Sequence, residues 1–201
     1  MEVNEPKTLY LATGKGISEY NKKDYLMPFS LTVGRIAESL IQELFLLEGY
    51  QTYKYGLENT YQYLYKQLKY NNTSAAKSLR KSPDLILYDP TNEQLNYAEV
   101  KFSSTGHFIF KETQFENYEQ SYPEGYFFLV TPTNLYCLPF EEMRKRKKVV
   151  FEKCEDLLLI NSKHFDLREK SIEHFEKFVS VFYNDEFLKQ NSKIHGTYRN
   201  Y

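Results

Sequence analysis

Between Pro83 and Ser103 the chain reads PDLILYDPTNEQLNYAEVKFS. Three of these side chains have the types needed for acid–base and cation-binding work: Asp84, Glu99 and Lys101. The stretch reads as two strands, about 84–89 and 94–103, around a polar turn at Pro90, Thr91, Asn92 and Glu93. Residues two apart on a strand point to the same face, so Glu99 and Lys101 project together. In a normally paired hairpin Asp84 reaches that side as well. Their neighbours Leu85, Ile86, Leu87, Ala98, Val100 and Phe102 mark both strands as central, where charge is costly unless something uses it. One use is a divalent metal and a scissile phosphate. Carboxylates hold the metal, the metal generates hydroxide and stabilises the departing alkoxide, and a lysine orients the attacking water. The rival reading is a same-face ion pair worth little to stability, with Asp84 merely opening its strand or bonding a nearby amide.

The elements that must position this group follow from periodicity. After Ser30, Ile36, Ala37, Leu40, Ile41, Leu44 and Leu47 recur at helical spacing, and Gly49 supplies a stop. Glu38 and Glu43 flank this apolar stripe, where a solvated helix edge is the usual explanation. Residues 1–29, with Gly14, Gly16, Pro6 and Pro28, show no sustained period and read as an N-terminal arm. The Gly14–Lys15–Gly16 triplet is too short for a phosphate loop. Residues 50–56 alternate as a strand. A short helix is expected over 58–70, and 71–82 reads as a polar, basic loop. Past Ser104, the apolar run Phe108, Ile109 and Phe110 leads into a helix over about 111–121, ended by Pro123 and Gly125. Residues 126–131 form an unbroken apolar run, as for a strand buried on both faces. Residues 134–138 give another strand, 154–160 a weak helical stretch and 167–189 a firmer helix. The order indicates a mixed sheet between helices, in the α/β or α+β group.

The 201-residue length suits one domain, and 41% hydrophobic content supplies a core. No apolar run approaches membrane-spanning length and the first residues are unlike a signal peptide, so a soluble protein of the cell cytoplasm is expected. Nineteen Tyr and 15 Phe stand against no Trp. AT-rich coding accounts for most of them, and a few exposed tyrosines could stack on bases. With a net charge of −1, any nucleic-acid binding must use local basic patches. Cys137 and Cys154 have no neighbours at zinc spacing and read as ordinary thiols, a disulfide between them being the minority case. No Ser/His/Asp, P-loop or zinc-protease pattern is present.

Pro83–Asp84, fourteen intervening residues, then Glu99–Val100–Lys101 resembles the signature of the PD-(D/E)XK nuclease superfamily. In that family an upstream helix carries a further acidic residue, and the segment from Gly34 to Glu38, on a helix ending at Gly49, looks like that motif. The segment from Ser103 through Phe115, with 125–132, resembles the Holliday-junction-resolvase branch. The resemblance covers about residues 31–138. It implies a restriction-endonuclease-like α/β/α core with a central mixed β-sheet over 30–139. The 1–29 arm precedes it, and 140–201 follows as a basic segment and C-terminal helical extension.

The activity implied is metal-dependent hydrolysis of DNA phosphodiester bonds with Mg²⁺ or Mn²⁺, on branched or duplex DNA, by a homodimer. By resemblance, Asp84, Glu99 and Glu38 hold the metal, Glu38 directly or through water. Lys101 positions the nucleophile, and Gln114 or Lys111 is an auxiliary site residue. The composition and the resemblance together suggest an archaeal or viral source. Lys77, Arg80 and Lys81 before the site, and the run Arg144, Lys145, Arg146, Lys147 and Lys148, become candidate DNA-backbone contacts beside such a core. On their own they are more often solvated surface. His107 reads as a loop or strand-end histidine, since the metal and Lys101 already supply what is needed. The rival class is a nucleic-acid-binding or assembly protein that keeps the fold without turnover.

Overall fold

A computed structural model describes residues 22–56, 71–109, 121–143 and 148–184, together with Leu68, Tyr118, Lys145 and Glu186. In chain order the elements are α1 (Lys22–Leu47), β1 (Gln51–Lys54), α2 (Ser74–Arg80), β2 (Leu85–Asp89), β3 (Gln94–Phe102) and β4 (His107–Ile109). Then come β5 (Gly125–Val130), β6 (Leu135–Pro139), α3 (Phe140–Met143), β7 (Lys148–Val150) and α4 (Glu169–Phe182). Five strands form one sheet in the order β1-β2-β3-β5-β6, and β4 pairs with β7 in a separate ribbon.

The hairpin is antiparallel, with Leu85 opposite Ala98 and Asp89 opposite Gln94. Its turn is closed by side chains that mimic backbone: Asp89 accepts from the Thr91 amide at 2.8 Å and Asn92 from the Gln94 amide at 2.9 Å. β5 returns parallel to β3, with Glu99 opposite Phe127 and Lys101 opposite Leu129. A parallel return needs a long crossover, which residues 103–124 supply. The result is a mixed α/β fold with a central mixed sheet, as the element order in the sequence predicts.

Strand alternation divides the core in two. Ala98 and Val100 of β3, Leu85 and Leu87 of β2, and Phe128 and Val130 of β5 pack against the apolar stripe of α1 and against α4. Phe127 and Leu129 point the other way, into a cluster with Tyr118, Phe140 and Phe151. β5 is thus buried on both faces, as its unbroken apolar run requires. Glu99 and Lys101, alternating with Ala98 and Val100, lie on the face opposite α1.

Three sequence expectations are corrected. α1 begins at Lys22, not after Ser30, so part of the stretch read as an arm is helical and Pro28 lies inside the helix. Proline removes one helical hydrogen bond, and here the helix carries through. The stretch 71–82, read as loop, contains α2: the Thr73 hydroxyl accepts from the Ala76 amide at 3.3 Å as an N-cap, and Ala76 is buried. The stretch near 154–160 forms short 3₁₀ turns at Phe151–Lys153, Glu155–Leu157 and Leu159–Asn161, not an α-helix. The helix expected over 58–70 and most of that over 111–121 lie outside the described residues. Tyr118 and Ser121 are helical. Cys137 and Cys154 are free thiols, and Cys137 is buried. No helix among the described residues is long and apolar enough to cross a membrane.

Candidate active site

Asp84 sits just before β2, after Pro83, and its position is fixed from two sides. The amides of Tyr55 and Gly56, past the end of β1, donate to its carbonyl at 2.9 and 3.2 Å. Its carboxylate Oδ2 accepts from the Val100 amide at 2.8 Å, which carries the hairpin ladder onto a side chain. Glu99 and Lys101 flank Val100 on β3. Asp84 and Glu99 are 4% and 6% exposed. The hairpin therefore holds two carboxylates out of water at one point, as its sequence predicts.

The Lys101 ammonium joins them. Its Nζ lies 2.6 Å from Glu99 Oε1 and 3.4 Å from Asp84 Oδ2, and it donates to the Val100 carbonyl at 3.2 Å. Three hard oxygen atoms therefore surround one cation. Burial pushes the Glu99 carboxyl up to about 7; Lys101 pulls against that shift, and the charge of Asp84 adds to it. Burial also works against the lysine's charge, but Glu99 and Asp84 outweigh it and hold the ammonium above the ordinary lysine range.

Tyr118 is the partner that sequence reasoning missed. It hydrogen-bonds Glu99, and burial, followed by the Glu99 charge, keeps its phenol above the ordinary range. Tyr118 therefore stays a donor. Its ring stacks on Phe140 at 4.6 Å, and Phe140 occupies the space where Gly125 lacks a side chain: a Cβ there would lie 2.1 Å from the Phe140 ring. Nothing in sequence separates Tyr118 from the other tyrosines; only the fold brings it to Glu99.

Glu38 is buried on α1, not on a solvated edge. It lies near Tyr183, whose ring stacks on Phe102 at 4.0 Å and whose hydroxyl donates to the Val33 carbonyl at 2.8 Å. Glu38 is not brought together with Asp84 and Glu99 as a metal-holding group; among the described residues no three His, Cys, Asp or Glu side chains make one. The reason is topological, since α1 covers the Val100 face of β3 and Glu99 points from the other. Gln114 and Lys111 lie outside the described residues, as do Arg144, Arg146 and Lys147. Lys77, Lys81 and Lys145 are exposed, Arg80 closes α2 and Lys148 opens β7. His107 is an exposed residue at the start of β4, and its carbonyl accepts from the Ser103 hydroxyl at 3.0 Å.

The donor set can be tested against the divalent ion that a PD-(D/E)XK site implies. Asp84 Oδ2, Glu99 Oε1 and the Val100 carbonyl are oxygen ligands of the kind Mg²⁺ and Mn²⁺ take, and they already converge on one positive charge. The residues fit such an ion.

No family model matches the sequence, and no curated protein matches it. Among solved structures the chain is similar to the 1.6 Å structure of Hjc, a Holliday junction resolvase from the archaeal hyperthermophile Archaeoglobus fulgidus. The identity is 13%, the match covers 70% of this chain and 98% of that one, and the TM-score is 0.41. A likeness that distant says nothing of individual residues, so the assignment of the site rests on the geometry above.

Proposed function

We propose that the protein is a metal-dependent DNA endonuclease of the PD-(D/E)XK type. The observation that carries this reading is the convergence of Asp84, Glu99, the Val100 carbonyl and Lys101 at one point on a central hairpin. A simple surface ion pair does not bury two carboxylates to within 6% of full burial.

Asp84 and Glu99 would hold Mg²⁺ or Mn²⁺ with the Val100 carbonyl. Such an ion, when bound, supplies charge neutralisation at the phosphate and a hydroxide near neutral pH. Lys101, released from the carboxylates it now bridges, would orient the attacking water and contact the phosphate. Tyr118 would hold Glu99 in place. Lys77, Lys81 and Lys145 offer exposed positive charge for the backbone of branched or duplex DNA, and a homodimer would present two such sites to a symmetric substrate.

The test is to incubate the protein with branched, single-stranded and duplex DNAs in Mn²⁺, with Lys101→Ala as control. Cleavage by the wild type and its loss in the variant are expected. Equal activity in both would remove Lys101 from the mechanism. Absence of cleavage on every DNA would favour the rival, a DNA-binding or assembly protein without turnover.

A further inference from the structure

Beside the carboxylates, on the same face of the sheet, lies a group of tyrosines that the hydrolytic reading does not use. Tyr53 of edge strand β1 is opposite Ile86, and Ile86 is opposite Tyr97 on β3. Directly paired residues share a face, and Tyr97 is two residues before Glu99, so this row runs from the sheet edge to the site. Tyr55 stands next to it, its amide bonded to the carbonyl of Asp84. Tyr122 closes the group from the segment leading into β5.

The ring centroids of Tyr55 and Tyr97 are 5.8 Å apart, those of Tyr55 and Tyr122 6.4 Å, and those of Tyr97 and Tyr122 4.7 Å. Tyr122 is hydrogen-bonded to the side chains of Ser82 and Tyr55, which ties the group to the stretch between α2 and Asp84. Tyr97 and Tyr122 therefore fix the orientation of Tyr55, while Tyr55 itself remains 39% exposed and Tyr53 53% exposed.

We propose that Tyr55, held by Tyr97 and Tyr122, is a stacking platform for an unpaired base of the DNA strand whose phosphate enters the Asp84–Glu99–Lys101 site. The identity of the neighbouring site rests on the nuclease reading above; the platform itself is a binding site with its own readout. Three features favour this occupant. A pre-oriented aromatic ring loses little freedom on binding, and base stacking on such rings tolerates any sequence. The platform adjoins the carboxylates, Tyr97 lying about 7 Å along β3 from Glu99, so a base here belongs to a nucleotide beside the phosphate being positioned. The exposed Lys77, on α2, and Lys81, next to Ser82 in the chain, supply the positive charge that a strand's backbone requires. An intact duplex keeps its bases stacked on each other and offers none to the ring. The platform thus selects DNA with an unpaired nucleotide at the scissile position.

The experiment measures binding of the full chain, in EDTA so that nothing is cut, by fluorescence anisotropy. The probes are a labelled oligothymidylate and a blunt duplex of equal length. Tyr55→Ala should weaken oligothymidylate binding roughly tenfold, Tyr55→Phe should stay within about twofold of wild type, and duplex binding should be unchanged in both. Photo-crosslinking with 5-iodouracil in the oligonucleotide should label the Tyr55 or Tyr97 peptide. The proposal is overturned if the wild type does not bind the oligonucleotide, if Tyr55→Ala binds it normally, or if single strand and duplex lose affinity together. Tyrosine-dependent binding without cleavage in Mn²⁺ would sink only the nuclease reading. Cleavage without dependence on Tyr55 would sink only the platform.

Discussion

Lys101 makes three contacts at once, to two carboxylates and a carbonyl, and so acts as the resident counter-charge of the site. Lys101→Met leaves Asp84 and Glu99 facing each other without it. Breaking a fully buried pair costs roughly 3–5 kcal/mol, but the Lys101 side chain is 38% exposed and water screens part of that. A loss of about 1–2 kcal/mol in urea unfolding is expected, regained on adding Mn²⁺. Equal stability of variant and wild type in EDTA would show that the contacts carry no energy.

Glu99 gives the site a pH signature. Its carboxyl is raised to about 7 in the folded protein from its ordinary value of 4.5. Between those values the folded state keeps a proton that the unfolded chain releases. The stability contribution is thus complete below about 4.5 and is lost as pH rises through about 7. The metal-free protein should lose on the order of 1–3 kcal/mol across that window from this group, and Glu99→Gln should flatten the slope. Metal binding needs the charged carboxylate, so the thermal shift produced by Mn²⁺ should grow from pH 5.5 to 8, as differential scanning fluorimetry can show. A Mn²⁺ shift that is flat with pH would contradict the role given to Glu99.

At the scale of elements, α4 is tied to α1 by one carboxylate. Glu48, just past α1, accepts from the Arg168 amide at 2.9 Å and from the guanidinium Nη2 at 2.9 Å, at the point where α4 begins. It caps a helix far away in sequence with a negative charge at the favourable end of the dipole. Burial alone would raise its carboxyl, but the bonds from Arg168 and Ser171 hold it down to about 2. The sign is opposite to that of Glu99: stabilisation is complete above about 4.5 and is lost as pH falls through about 2. Glu48→Gln should therefore lower Tm at pH 7 and leave little difference near pH 2 in circular-dichroism melts. A variant that melts with the wild type at pH 7 would remove this tether from the account.

Nothing near Glu48 in sequence announces this contact, because its partner lies on a helix that only the fold brings close. The hairpin, by contrast, was legible because alternation and turn chemistry are local. α2 was missed for the converse reason: one buried alanine and one threonine cap leave almost no hydrophobic period to read. At the N-terminal end the residues before Ser30 show no apolar period, yet α1 starts at Lys22 and carries through Pro28, since one proline does not stop a helix of this length.

At the scale of the molecule, the sheet gathers what the sequence keeps apart. Asp84, Glu99 and Lys101 could be anticipated as a group because one hairpin carries all three. Tyr118, and the trio Tyr55, Tyr97 and Tyr122, could not, since each arrives from a separate segment and tyrosine is abundant throughout. Glu38 shows the limit of linear order: its position upstream of the hairpin is the one the sequence resemblance implies, yet α1 lies on the opposite face of β3 from Glu99. The resulting division of labour is clear. One face of the sheet is sealed by α1 and α4, and the other presents the charged site with the tyrosine edge beside it.

The central claim is that Asp84 and Glu99 form a divalent-metal site, and calorimetric titration of Mn²⁺ into the wild type and Asp84→Ala tests it most directly. A saturable binding isotherm for the wild type, abolished in a folded Asp84→Ala, is the predicted result. Equal Mn²⁺ binding by both, or binding by neither, would contradict it.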